Sequence, residues 1–215
     1  MPILRYIVFL LFLSFGQCDL IAQEWYVGVK GGPSWSMINA ESIMNEKSRS
    51  AYHIGLFANK YLNQRLFLSA EINYIALGGQ HDRSTGQNAN AITRWKYEIN
   101  YISLPIAINY QPHKLLTLGT GIYSAFLVGF NVSREAAFSN TLDTPSKSNL
   151  KSEDFGYHFQ LSLNLLNISL GLTYMKSLNE LPDSRLTDLL ISKARNSAVQ
   201  ISFGYRIFGK GKHLP

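Results

Sequence analysis

The stretch "NYISLPIAINY" (residues 100–110) decides the fold. In an extended chain Ile102, Leu104, Ile106, Ile108 and Tyr110 share one face, and Ser103, Pro105, Ala107 and Asn109 share the other. The first face is apolar throughout, while the second is small and mixed. A water-soluble sandwich has no place for it, because a proline in a central strand removes a ladder hydrogen bond and the second face is too mixed for a core. A strand that turns its apolar face to lipid and its mixed face to a narrow lumen accommodates both.

The same period of two recurs along the chain. In "FGYHFQLSLN" (155–164) Phe155, Tyr157, Phe159, Leu161 and Leu163 oppose Gly156, His158, Gln160, Ser162 and Asn164. "NISLGLTYM" (167–175) and "SAVQISFGYRIF" (197–208) repeat the rule, and upstream it predicts strands over 24–32, 51–61, 65–78, 95–110 and 114–130. That makes eight strands. Tyr97, Ile99 and Tyr101 share the face that Ser103 continues, which predicts a β-bulge near Tyr101 and Ile102.

The connections alternate in length. Long ones are expected over 33–50, 79–94, 131–154 and 177–195, and tight turns at "LNQ", "QPHK" and "LLN". Short turns on one side and long loops on the other define an all-β, eight-stranded antiparallel up-and-down transmembrane β-barrel of the outer-membrane type, with short turns facing the periplasm. Trp25, Tyr52, Tyr74, Trp95, Tyr110 and Tyr174, near strand ends, are expected to form the interfacial girdles.

Composition agrees. The 215 residues suit one domain; only 16% are charged and 13% aromatic, with 12 Tyr and 12 Phe. Mean hydropathy is −0.03, far from that of a helical membrane protein. At the N-terminus Arg5 precedes the apolar run "YIVFLLFLSF" and then "GQCDLIAQ". That order predicts a signal peptide over 1–22, cut after Ala22, and a barrel domain over 23–215; the run is well short of the ~20 residues of a spanning helix. Gln17 before Cys18, the only cysteine, speaks against a lipoprotein signal, so the barrel is expected to have no disulfide and no thiol chemistry. The net charge of +6 comes without a Lys/Arg block, which argues against a nucleic-acid partner and for anionic lipid headgroups or polysaccharide.

No phosphate loop, metal-ligand spacing or nucleophile elbow occurs, and the histidines at 53, 81, 113, 158 and 213 are scattered. The reading therefore assigns no catalytic, cofactor-binding or metal residue and no cofactor. His53 and His158 are expected in the lumen beside Ser162, Glu71 and Lys30. His158 and Ser162 share a face, but at ~3.3 Å per residue they stand about 13 Å apart. Tyr26, Phe57, Tyr123, His158 and Arg206 are expected to fill the interior, which disfavours a diffusion pore. Function is left to the loops: "SLNELPDSRLTDLLISKARNS" (177–197) carries Leu186, Leu189 and Leu190 at helical spacing, and "SREAAFSNTLDTPSKSNLKSED" (133–154) is polar and aperiodic.

The opening strand "YVGVKGGPSWS", the central "YISLPIAINYQP" and the following "LTLGTGIYSAFLVG", after a signal ending in "AQ", resemble the PorT-like outer-membrane β-barrel proteins of Bacteroidetes over essentially the whole predicted barrel. The resemblance implies a small integral outer-membrane barrel in a group whose name-giving member is tied to a protein-secretion system. The expected function is a non-enzymatic structural or interaction role. Expected partners are outer-membrane lipid and, through the loops, envelope or secretion-system proteins. The alternative is a barrel that modifies lipid or handles a small solute or ion.

Overall fold

The computed structural model describes residues 25–39, 46–84, 92–135, 151–180 and 195–209. They form β1 (Trp25–Asn39), β2 (Glu46–Lys47), β3 (Arg49–Tyr61), β4 (Leu66–Ser84), β5 (Ile92–His113), β6 (Leu116–Glu135), β7 (Glu153–Leu165), β8 (Ile168–Ser177) and β9 (Arg195–Gly209). Segments β2 and β3 both pair with β4 and are separated only by Ser48, so together they make one crossing strand. Eight antiparallel crossings result, and the β1–β9 and β4–β5 pairings close the sheet into a barrel.

Closure has a measurable stagger. Cross-strand partners followed once round the wall run Val27, Ala58, Ala70, Ile106, Ile122, Tyr157, Lys176, Ser197 and back to β1 at Met37. The path returns ten residues further along β1, from 27 to 37. For eight strands this corresponds to a tilt of about 40°. Every strand then has a hydrogen-bonded neighbour on each side, which is what crossing hydrocarbon requires. Among the described residues no helix is long and apolar enough to cross a membrane.

Burial is inverted relative to a soluble barrel. Outward Ile106 is 50% exposed, whereas inward Ser103 and Asn109 are fully buried. Ile54, Leu56, Ile72, Leu161, Leu172 and Phe203 continue the apolar outer wall. Trp25 with Phe208 (ring centroids 5.5 Å apart) and Tyr52 with Tyr74 (6.1 Å) mark its two rims. Trp95 belongs to the predicted girdle, but its side chain lies outside the described residues.

Several strands outrun the sequence expectation. β1 continues past Pro33 to Asn39, β4 to Ser84 and β6 to Glu135, while β5 starts at Ile92, β3 at Arg49 and β7 at Glu153. Most of the added lengths are polar, with pairings such as Asp82↔Arg94 and Gln80↔Lys96, while the β1 extension keeps Trp35 and Met37 on its outer face. Their backbone ladder does not depend on an apolar face, so the wall continues beyond the band that lipid would cover. The helical spacing noted at Leu186, Leu189 and Leu190, like most of 133–154, lies outside the described residues.

The opening stretch also receives two corrections. The register against β6 shifts between Asn100 and Tyr101, at the predicted level, but Asn100 pairs with Gly129 and Tyr101 with Leu127, so the extra residue is Val128 on β6. Inward parity on β5 is unbroken from Ile99 to Gln111. Pro105 leaves a gap in the wall: the β4–β5 ladder has no pair between Ala70↔Ile106 and Asn73↔Ser103, and by register Glu71 stands opposite the proline.

Candidate functional site

The lumen changes character from one end to the other. At the short-turn end Tyr26, Tyr61 and Phe67 form a buried cluster with Phe57 packed on it, and Tyr61 and Phe67 stack at 5.1 Å. Gly28 is needed there, since a Cβ would run into the Phe57 ring. Arg206 on β9 lays its guanidinium over the Tyr26 ring at 4.2 Å. Such a cation–aromatic contact contributes ~0.5–2 kcal/mol according to desolvation.

Polar residues fill the middle. Lys30 Nζ on β1 meets Glu71 Oε2 on β4 at 2.5 Å, with both side chains nearly enclosed. Asn73 Nδ2 donates to the same carboxylate oxygen at 2.8 Å. His53 Nε2 and Ser202 Oγ lie 2.9 Å apart. Asn109 donates to Ser69 at 2.9 Å and accepts from Gln160. In hydrocarbon an unpaired polar group is costly, so a polar lumen must be knitted internally in this way.

At the long-loop end the interior turns apolar again. Ile75, Leu77, Ile99, Tyr101, Tyr123, Ala125, Met175 and Ala198 form one buried cluster. Arg49 bridges it, with Nη2 on Glu98 Oε1 and Nη1 on the Leu77 carbonyl, each at 2.7 Å. Asp154, 2% exposed, accepts from Ser177 Oγ at 2.5 Å and from Asn196 at 3.4 Å. The cluster closes the lumen on that side. A cavity of about 80 Å³ remains below it, lined by Lys30, Glu71, Gln160 and Arg206 and reaching Leu166 and Asn167 of the short β7–β8 turn.

Tyr26, Tyr123 and His158 are buried inside as expected, Phe57 packs on the aromatic cluster, and Arg206 lines the cavity. His53 is also buried, but its partner is Ser202 rather than Ser162. His158 and Ser162 make no hydrogen bond, in keeping with their separation along β7. The His53–Ser202 pair falls short of a catalytic relay, since His53 Nδ1 has no partner to orient the ring and Ser202 is 5% exposed inside the barrel, away from lipid. Among the described residues no group of three or more His, Cys, Asp or Glu could hold a metal ion. The Arg49–Glu98 pair and the Asp154 cluster escaped the sequence reading because Arg49 and Asp154 fall in stretches read as loops. Period two did persist there, in Ser34 and Ser36 against Trp35 and Met37.

Residues 21–182 match the family described as outer membrane protein beta-barrel domain. Comparison with curated proteins gives no match. Among solved structures, Neisserial surface protein A superposes with a TM-score of 0.50 at 9% identity, over 84% of this chain and 97% of that one. OprG from Pseudomonas aeruginosa gives 0.46 at 11% identity, over 86% and 96% of the two chains. Ail of Yersinia pestis, in complex with the heparin analogue sucrose octasulfate, gives 0.45 at 11%, over 86% and 99%. At such identities the likeness concerns fold alone. With the residues that build a closed barrel apolar outside and polar within, the family match places this chain in the outer membrane protein beta-barrel domain family, as an integral protein of the outer membrane.

Proposed function

We propose that this barrel is a non-enzymatic structural or interaction protein that works through its long connections, as an accessory of an envelope or protein-secretion complex. The observation that carries the reading is the buried cluster around Ile99, Tyr101 and Tyr123, which fills the lumen at the long-loop end and argues against a path for a solute. The enclosed His53–Ser202 pair argues in the same direction against lipid chemistry. Membership of the PorT-like group and a signal peptide over 1–22 are part of this proposal. The start of the family match at residue 21 and of β1 at Trp25 support it.

Affinity purification from native outer membranes in mild detergent, with mass spectrometry of the copurifying proteins, tests the role. A stoichiometric envelope partner that is lost when residues 136–150 are deleted, while the barrel still folds, is the expected result. A lipid A or phospholipid species that disappears both on gene deletion and in His53→Ala, or a steady single-channel conductance, would favour the lipid-modifying or ion-handling alternative.

A further inference from the structure

The cavity at the short-turn end has a charge that no carboxylate among the described residues answers. Its charged lining residues are Lys30, Glu71 and Arg206. Lys30 and Glu71 neutralise each other at 2.5 Å. Arg206 lies over the face of Tyr26, at 4.2 Å, and within reach of its hydroxyl, and has no carboxylate among the described residues. Its Nε is buried without a hydrogen-bond partner. Asn59, 8% exposed and also lining the cavity, has a partnerless Oδ1.

We propose that this vestibule is a binding site for a small oxyanion, a phosphate or simple carboxylate entering from the short-turn, periplasmic side. Stacking on Tyr26 fixes the guanidinium plane, so its N–H edge is held ready for the two-pronged contact that an oxyanion accepts. The Gly28–Arg206 and Lys30–Gly204 pairings put Lys30 one inward step above Arg206 on the neighbouring strand. Its ammonium is held by Glu71 and does not compete with Arg206 for the ligand. The cavity holds several times the space one water needs. Its remaining walls are uncharged and include the hydrogen-bonding groups of Thr117, Asn164 and Ser169, which tolerate an anion. The cluster at the far end makes the site a blind pocket rather than a stage of a pore.

The test follows the arginine Nε–H resonances of the ¹⁵N-labelled full chain in detergent micelles, titrated with inorganic phosphate and separately with acetate against chloride at constant ionic strength. The Arg206 signal, assigned by its loss in Arg206→Lys, is expected to move saturably with at least one of the two oxyanions and not with chloride, while that of Arg49 stays in place. Phosphate ³¹P or acetate ¹³C line broadening by wild-type protein should fall at least tenfold in Arg206→Gln. Asn59→Asp, which supplies an internal carboxylate to the pocket, should abolish it as well, with unchanged heat-modifiable gel mobility showing that both variants fold. A linear, unsaturable shift with both anions, or broadening equal in wild type and folded Arg206→Gln, overturns the proposal.

Discussion

The two ends of the lumen are built by the same strands yet solve opposite problems. Towards the long loops, inward Ile75, Ile99, Tyr101, Tyr123 and Met175 pack as a small hydrophobic core, with Arg49 and Asp154 sealed in by specific partners. Towards the short turns, the inward positions include Lys30, Ser69, Ser162, Ser169 and Arg206 around an open cavity. An interior packed shut at one end, and at the other holding a cavity beside a small aromatic cluster, is a stopper with a vestibule. Stability should therefore be concentrated in the stopper and in the ion pair below it, and the vestibule should tolerate change.

The sharpest break in that comparison is at the boundary between the halves. Glu71→Ala leaves the enclosed Lys30 ammonium unanswered and should cost about 3–5 kcal/mol in urea-induced unfolding from lipid vesicles. Lys30→Met combined with Glu71→Met should recover most of the loss. If the double variant is no better than the single one, the pair is not what holds the middle layer. In the stopper, Tyr101→Ala empties a site that is 1% exposed, with an expected loss of about 3–4 kcal/mol measured the same way. Wild-type protein should give no steady conductance in planar bilayers, and Ile99→Ala with Tyr101→Ala should give one. A conducting wild type would show that the apolar cluster is no stopper.

A third comparison sets the inside of one strand against its outside. Leu170, 41% exposed on the lipid face, should lose roughly 2–4 kcal/mol on replacement by Arg. Ser169→Arg points into the cavity and should lose less; the reverse order in bilayer refolding would invert the facing of β8. The smallest effect belongs to the short β7–β8 turn, where Leu166 holds φ of 54° while 89% exposed. Leu166→Gly should raise stability by up to about 1 kcal/mol, since the left-handed region costs a branched-chain residue roughly that much. A loss instead would mean that the leucine makes a contact at the vestibule mouth worth more than its strain.

Outward faces were legible in the sequence because lipid imposes one requirement on every exposed position, and period two makes that requirement visible without partners. Ile102 to Tyr110, Phe155 to Leu163 and Ile168 to Tyr174 all point where alternation placed them. The even strand number and the sorting of connections by length followed from the same local reading. Strand ends were less legible: once the wall leaves the lipid band, residues such as Asp82 and Arg94 are held in register by the backbone ladder, and polar composition reads as loop.

What the sequence alone determined is the barrel, its outer wall and the inward location of Lys30, His53, Glu71 and Arg206, because these depend only on side-chain parity along each strand. Tertiary structure decided who meets whom inside. The ten-residue stagger sets which inward residues of distant strands share a level, so that Lys30 finds Glu71 and His53 finds Ser202 across 149 residues of chain. It also places Val128, not a β5 residue, in the bulge and gathers the apolar inward residues into two clusters, one towards each end. Stagger is a property of closure, in which every strand must satisfy two neighbours at once, and no single strand carries it.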